Sequence, residues 1–480
     1  MKKAIFVLLI FCSLISYSQV ESFIRTYGND GFNYGQRIAV LQDTTYMLLG
    51  NKSGFSGANN IYMIHTDENG QILKDAVFGG QDLYYATDMA VSGDTLFIVT
   101  GHTLNSSSQE YDVFVMWIDK QLNMIRQVQY SAPGWDLGKA VAVDDNGNVY
   151  VVSETYSFSP KAAMTMLKYS SEGDLLNMFH SYTTFSEIIP QSMALIGDSL
   201  YVCGSEQYEN QMERGMIFKT SKTFGSVQFF HYSENNRNYR FNDITMTGAN
   251  TFAVTGYYID DGETDKKMAY LIFHTDLTIL EQVLDNIPDF FCNCITHSDF
   301  GLTALGCHTT HAGAGGVDFM YIVYHNNYYH VASTIGGIMY DEPFGIAFAH
   351  DSSLVMIGTT QSYGTPITSI MFAKTCKDFY YCVNDHSHQT YIDAPDPHSR
   401  IKIFPNPASD VLYVILPHEN LNSSNISMFM TNISGQKLSP PFSVSGSDQI
   451  AINISHLKNG IYFLSILTEN EVFSVKVVKF

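Results

Sequence analysis

Four stretches of this chain set aromatic rings beside acids or a base. They are Asp82, Tyr84 and Tyr85; Trp135 and Asp136; Tyr239 and Arg240; and Tyr340, Asp341 and Glu342. The combination suits sugar recognition, because a ring stacks on the apolar face of a pyranose while carboxylates accept hydrogen bonds from its hydroxyls. The same aromatic-plus-acid pattern returns at regular intervals, which a repeated packing position also produces. A second group is sulfur and imidazole. Cys292 and Cys294 stand two residues apart, so on a strand both thiols share one face, and Cys307, His308 and His311 follow. Thiolate and imidazole together can hold zinc. Their spacing matches no standard zinc pattern, however, and a bridge from Cys307 to Cys292 or Cys294, or buried free thiols, is the expectation. Cys376 and Cys382 are candidates for another bridge or for unpaired thiols. The densest acidic loop, Asp260 to Asp265, lacks the full calcium-loop pattern. No metal or other cofactor is therefore expected. The chain has no GxSxG, HExxH, phosphate loop or dinucleotide fingerprint, so no residue is assigned as catalytic.

These residues sit between copies of one repeat. A turn rich in Asp, Gly or Asn, then a β-run, then a small residue recurs as TTYMLLG, TLFIVTG, NVYVVS, SLYVCG, TFAVTG, LTALG and SLVMIG. The copies end at Gly50, Gly101, Ser153, Gly204, Gly256, Gly306 and Gly358, in steps of 51, 52, 51, 52, 50 and 52 residues. Each copy lies within a unit of four predicted strands, and DENG (67–70) and DDNGN (144–148) are hairpin-turn sequences. Four-stranded units of this period read as β-propeller blades, which must close a ring to bury their faces. The expectation is an all-β chain with a seven-bladed β-propeller over 19–382. SFIRTYG (22–28) would supply the fourth strand of the last blade. An array of sandwiches would need nearer a hundred residues per repeat. The repeat resembles the loosely defined propeller repeats of secreted bacterial proteins, a resemblance that concerns the fold and not the function.

The 480 residues carry 47 acidic and 26 basic side chains, a net charge of −21. Such a surface repels phosphate backbones and anionic lipid, so no nucleic-acid partner is expected. Lys2 and Lys3, the apolar run Ala4 to Ile15 and the small-x-small site Ser16-Tyr17-Ser18 read as a signal peptide over 1–18. No other stretch is apolar enough to cross a membrane as a helix, and none is expected in the mature chain.

Residues 383–400 are polar, contain Pro395 and Pro397, and read as a linker. Beyond it, 401–480 read as about seven short strands in a small immunoglobulin-like sandwich. Pro405-Asn406-Pro407, the turn around Gly435, Asn459-Gly460-Ile461-Tyr462, and Lys476 and Lys479 in the closing strand appear there in order. By these motifs the segment resembles the type A C-terminal sorting domain of the type IX secretion system of Bacteroidetes. The resemblance implies recognition by the outer-membrane secretion machinery and delivery to the cell surface or medium. The function expected for the propeller is non-catalytic binding of a glycan or protein. The alternative is a carbohydrate-active enzyme with acids at the channel mouth.

Overall fold

The computed structural model describes residues 22–376, except 29–30, 55–58, 81–82, 106, 182–184, 210, 314 and 364–366. It also describes 402–404, 408–415, 427–432, 437–445, 449–458, 460–467 and 472–479. The signal-peptide reading and the linker reading fall outside these residues. Two compact units divide at 389/390.

The larger unit is built of antiparallel four-stranded sheets. Their strands are β2 (Phe32–Val40), β3 (Tyr46–Ser53), β4 (Asn59–Thr66) and β5 (Ile72–Phe78); then β6 (Leu83–Ser92), β7 (Leu96–Leu104), β8 (Tyr111–Asp119) and β9 (Met124–Tyr130). Next come β10 (Asp136–Val143), β11 (Val149–Thr155), β12 (Ala163–Tyr169) and β13 (Leu175–Ser181), followed by β14 (Ser186–Ile196), β15 (Ser199–Tyr208), β16 (Glu213–Ser221) and β17 (Val227–Tyr232). The strands β18 (Asn238–Gly248), β19 (Thr251–Ile259), β20 (Lys267–His274) and β21 (Ile279–Leu284) are joined to β22 (Phe290–His297), β23 (Leu302–Thr309), β24 (Asp318–His325) and β25 (Tyr328–Ile335) by a single parallel pair, Lys267 with Phe290. The last sheet holds β26 (Asp341–Phe348), β27 (Leu354–Thr360) and β28 (Ser369–Lys374). Its fourth strand is β1 (Phe23–Tyr27), which pairs with β28 from the other end of the chain. SFIRTYG thus has the place the sequence predicts.

The first strand of each sheet touches the first strand of the next. The cycle runs β2, β6, β10, β14, β18, β22, β26 and back to β2. This is a β-propeller, with these strands lining the axis. Second strands are sandwiched on both faces, so they read as continuous apolar runs; β11 and β27 are buried along their whole length. Clusters of buried side chains fill the gaps between neighbouring sheets, as where Tyr201 and Cys203 meet Phe252 and Val254. In the DENG turn, Asp67 Oδ1 accepts from the amides of Asn69 and Gln71, and Gly70 takes the left-handed conformation (φ 75°).

The small residue ending each repeat has a geometric cause. Every inner strand carries a β-bulge, at Gln36, Thr87, Lys139, Gln191, Asn242, Asn293 or Phe344. The residue before the bulge, or in one case the residue after it, faces the last residue of the repeat: Gly35 with Gly50, Ala86 with Gly101, Gly138 with Ser153, Pro190 with Gly204, Phe241 with Gly256, Cys294 with Gly306 and Pro343 with Gly358. A Cβ built on Gly204, Gly256 or Gly358 would fall well inside contact distance of the carbonyl oxygen of Ile189, Arg240 or Glu342. Ser153 is tolerated where glycine stands opposite it, at Gly138.

The smaller unit has eight strands among the described residues. β29 (Lys402–Phe404), β30 (Val411–Ile415), β33 (Phe442–Ser445) and β34 (Gln449–Asn453) form one sheet. β31 (Ser427–Asn432), β32 (Lys437–Leu438), β35 (Gly460–Leu467) and β36 (Val472–Lys479) form the other. One core of Leu412, Val414, Ile450 and Ile452 from the first and Met430, Leu464 and Ile466 from the second joins them.

Gly204→Val should be among the most destabilising changes to the propeller, because the obstruction is backbone and cannot rotate away. A loss of about 1–3 kcal/mol or more is expected in urea unfolding. Gly225→Val, where no atom stands close to the added carbon, should stay within about 0.5 kcal/mol.

Candidate functional site

The residues singled out by sequence divide by register. The position three before the bulge is Asn33, Tyr84, Asp136, Ile188, Tyr239, Phe290 or Asp341, and it is buried in every case. Strand alternation turns it into the gap between neighbouring sheets. Tyr84 packs edge-on against Phe114, its hydroxyl accepting from Gln127 Nε2 at 3.0 Å. Tyr239 packs edge-on against Tyr232 at 4.8 Å. Asp136 is a loop staple: Thr155 Oγ1 donates to one oxygen, and Ser157 Oγ donates to the other at 2.9 Å. Asp341 repeats this device with Thr360 and with Ser362 at 2.6 Å. Burial pushes the Asp136 carboxyl up, against the pull of both hydroxyls.

The next position along is occupied by partners rather than solvent. Arg240 donates through Nε (2.9 Å) and Nη2 (2.5 Å) to Glu213 Oε1. Glu342 accepts from Asn293 Nδ2 at 3.0 Å and from Tyr340. Tyr85 stacks on His102 with centroids 5.3 Å apart. Asp82 lies outside the described residues. Trp135, 49% exposed, and Tyr340 are the candidates that remain on the surface.

Trp135 belongs to a larger set that sequence reading missed. Tyr156, Phe158, Phe185 and Tyr208 are also exposed. Loop hydrogen bonds order them: Tyr156 N donates to Trp135 O (2.8 Å), Glu209 N to Phe185 O (2.8 Å), and Gln211 N to Tyr208 O (2.9 Å). The first two pairs join the loops that follow the repeat endings to the loops between sheets, so both sets share one face. Near Tyr208 in sequence, Gln207 and Gln211 line a cleft of about 720 Å³ together with Arg214, Asn235, Arg237 and Asn238. Asn235 and Asn236 hold left-handed backbone (φ 52° and 59°), which Asn adopts more readily than most residues. Arg214 is tethered to Glu206 at 3.2 Å, and the hydrogen bond from His231 holds the Glu206 carboxyl below its usual range. Arg237 lies over the Tyr258 ring and donates to Asp260 at 2.6 Å. The two guanidinium groups are thus held in place. The signal was weak because these four rings follow no repeat period.

The axis carries acids of another kind. A cavity of about 220 Å³ there is lined by Arg37, Asp88, Ser192, Asp243 and Cys294 among others. Arg37 Nε donates to Asp88 Oδ1 (2.8 Å), whose other oxygen accepts from Val141 N (2.9 Å). Asp243 accepts from Ser192 Oγ (2.6 Å) and Ile295 N (3.0 Å), and burial pushes its carboxyl up while Arg37 pulls it back. Every one of these bonds crosses between sheets.

Cys292 and Cys307, facing residues of β22 and β23, form a disulfide. Their sulfurs are therefore not zinc ligands. Cys294 and Cys203 are buried thiols. Cys376 is disulfide-bonded, and Cys382 lies outside the described residues. Asp260 and Glu263, the acids of the suspected calcium loop, take the Lys267 ammonium at 2.6 and 2.5 Å. In the smaller unit Tyr462 is buried and donates to Lys458 O, Gly460 and Lys476 lie in strands, and Lys479 is buried. Pro405, Asn406, Pro407, Gly435 and Asn459 lie outside the described residues.

Comparison with known proteins bears mainly on the smaller unit. Residues 402–479 match the secretion system C-terminal sorting domain, and no curated protein matches the chain. Among solved structures, a protein of unknown function from Bacteroides caccae is similar at 11% identity and TM-score 0.40, over 61% of this chain and 94% of that one. The β-propeller domain of the Trilobed protease from Pyrococcus furiosus is similar at 10% identity and TM-score 0.46, over 75% and 99%. Polysaccharide lyase Uly1 is similar at 8% identity and TM-score 0.46, over 77% and 94%. The chain carries a type IX sorting domain, which marks it for export to the cell surface or extracellular space.

His102 gives the site a pH signature. Burial of its ring, helped by the nearby Lys139 ammonium, pushes it from 6.5 down to about 4. The folded protein thus keeps His102 neutral where the unfolded chain takes up a proton. Its contribution is complete above pH 6.5 and is lost as pH falls from 6.5 toward 4. Thermal melts of wild type and His102→Phe should therefore diverge across that window, with the variant losing less Tm than wild type on acidification.

Proposed function

We propose that this protein is an exported, non-catalytic glycan-binding module: a seven-bladed β-propeller carried to the cell surface or medium by a C-terminal immunoglobulin-like sorting domain. In this reading 1–18 are a signal peptide, 19–382 the propeller, 383–400 a linker and 401–480 the sorting domain of a Bacteroidetes-type cargo. The observation that carries the binding role is the set of exposed rings, Trp135, Tyr156, Phe158, Phe185 and Tyr208, on loops of a unit that also holds a cleft of amide and guanidinium side chains. Rings supply stacking surface for pyranose faces, and planar donors read their hydroxyls at fixed angles. The channel carboxylates favour binding over hydrolysis, because Asp88 and Asp243 are committed to bonds between blades. A hydrolase acid pair must instead face substrate.

Full-length mature protein on a broad glycan array should bind without releasing product sugars. Trp135→Ala and Phe185→Ala should each weaken the best ligand about tenfold, in line with roughly 0.5–1.5 kcal/mol per aromatic contact, with unchanged Tm. Cleavage of the bound glycan, or full affinity in both variants, would overturn the reading. Deleting 401–480 should leave the protein in the periplasm; normal appearance of the truncated chain in the medium would remove the sorting role.

A further inference from the structure

A second cavity lies away from the amide and guanidinium cleft, between β20–β21 on one side and β24–β25 on the other. It has a volume of about 310 Å³, and its walls are mostly apolar: Met268, Phe290, Met320, Ile322 and Tyr324. Ile287 and Tyr329 stand at its mouth, 40% and 65% exposed.

One outer-strand side chain sets this interface apart from two others. In two preceding sheets, the gap at this level is closed by a phenylalanine from the outer strand. Phe179, opposite Met166, reaches across to Phe218 of the next sheet; Phe230, opposite Ile217, reaches across to Phe273 of the next. Met166 and Ile217 each follow the residue paired with a repeat ending, Ser153 or Gly204. Tyr270 holds the same register, one after the partner of Gly256, and the residue opposite it is Val283. Valine lacks the ring that fills the gap in those two interfaces; at the same register β5, β9 and β25 carry Ala76, Val128 and Ala332. Nearer the axis the interface stays shut, with Tyr270 stacked on Tyr324 at 5.2 Å.

We infer that this cavity binds a small planar aromatic molecule, neutral or cationic, whose ring takes the place that Phe179 and Phe230 occupy in two other interfaces. Size agrees. An apolar cavity of about 150 Å³ accepts benzene, so twice that volume suits two fused rings. Wall chemistry agrees as well: two thioethers and two aromatic rings make favourable contacts with an aromatic guest. The cavity's polar lining comes from Asp285, Thr309 and His311. A carboxylate there, on a chain of net charge −21, disfavours an anionic guest and leaves room for one hydroxyl or amine.

The test is a fluorescence titration of the full-length mature protein with 2-naphthol. Wild type should show saturable one-to-one binding. Val283→Phe introduces the phenylalanine that closes the two preceding interfaces, so it should keep or raise Tm while weakening 2-naphthol at least tenfold. If that variant melts lower, Ala332→Leu, which fills the cavity from the β25 wall, serves the same purpose. 2-Naphthoate should bind at least fivefold more weakly than 2-naphthol. Unsaturable binding to wild type, or equal affinity in a stably folded filling variant, would overturn the site. Decanol binding as tightly as 2-naphthol would overturn the aromatic assignment, and naphthoate binding equally would overturn the charge argument.

Discussion

A backbone carbonyl pressed against a neighbouring strand governs this propeller. Each inner strand must bend around the axis, and it bends by inserting one bulged residue. In five sheets the carbonyl two residues before the bulge, from Tyr34, Tyr85, Ile189, Arg240 or Glu342, presses on the second strand, where a side chain of ordinary size cannot stand. Hence the glycine at the end of those five repeats, while Gly306 is confined by the Cys294 side chain. The bulged residue then has its side chain available to pin the next blade. Thr87 Oγ1 donates to Gly138 O, Asn242 Nδ2 to Cys292 O and Asn293 Nδ2 to Pro343 O. In each of these pairs the acceptor is the residue just before the next bulge. The residue after the bulge adds a second tier through Asp88, Ser192 and Asp243. Bend, small residue and cross-blade bond are therefore one device, repeated around the axis.

That device explains what could be read from sequence. The repeat endings are legible because backbone geometry allows few residues there, and six glycines and a serine keep the count over long distances. Candidate binding residues were harder. Tyr84, Asp136, Tyr239 and Asp341 recur because they share one register position, and that position faces a neighbouring blade. Their recurrence was thus a sign of packing, visible as such only once the bulge fixed the register. Trp135 stays on the surface because it precedes β10 and escapes the alternation. Tyr156, Phe158, Phe185 and Tyr208 sit on or beside loops of unequal length, where no period marks them.

Electrostatics follow the same division. Along the axis charge is nearly balanced: Arg37 meets Asp88, and Asp243 is held by hydrogen bonds that partly make up for its burial. Buried charges persist only with such partners. The acidic excess is left to the surface, where Lys267 and Arg237 neutralise parts of it, as at Asp260. A surface of this sign raises the cost of bringing up anions.

Constraint is therefore strong near the axis and weak at the rim. A change at an inner bulge breaks bonds to the next blade and presses backbone on backbone. A change in an outer strand touches only side chains that meet across a widening gap. Phe179 and Phe230 fill that gap in two interfaces, and Val283 leaves it open in the next, while the axial contacts of β18 and β22 continue unbroken. The loss of one ring costs packing at the rim but nothing in ring closure, because the two are carried by different strands. Binding sites can thus differ from blade to blade on an unchanged frame, which is why individuality in this chain lies in its outer strands and loops.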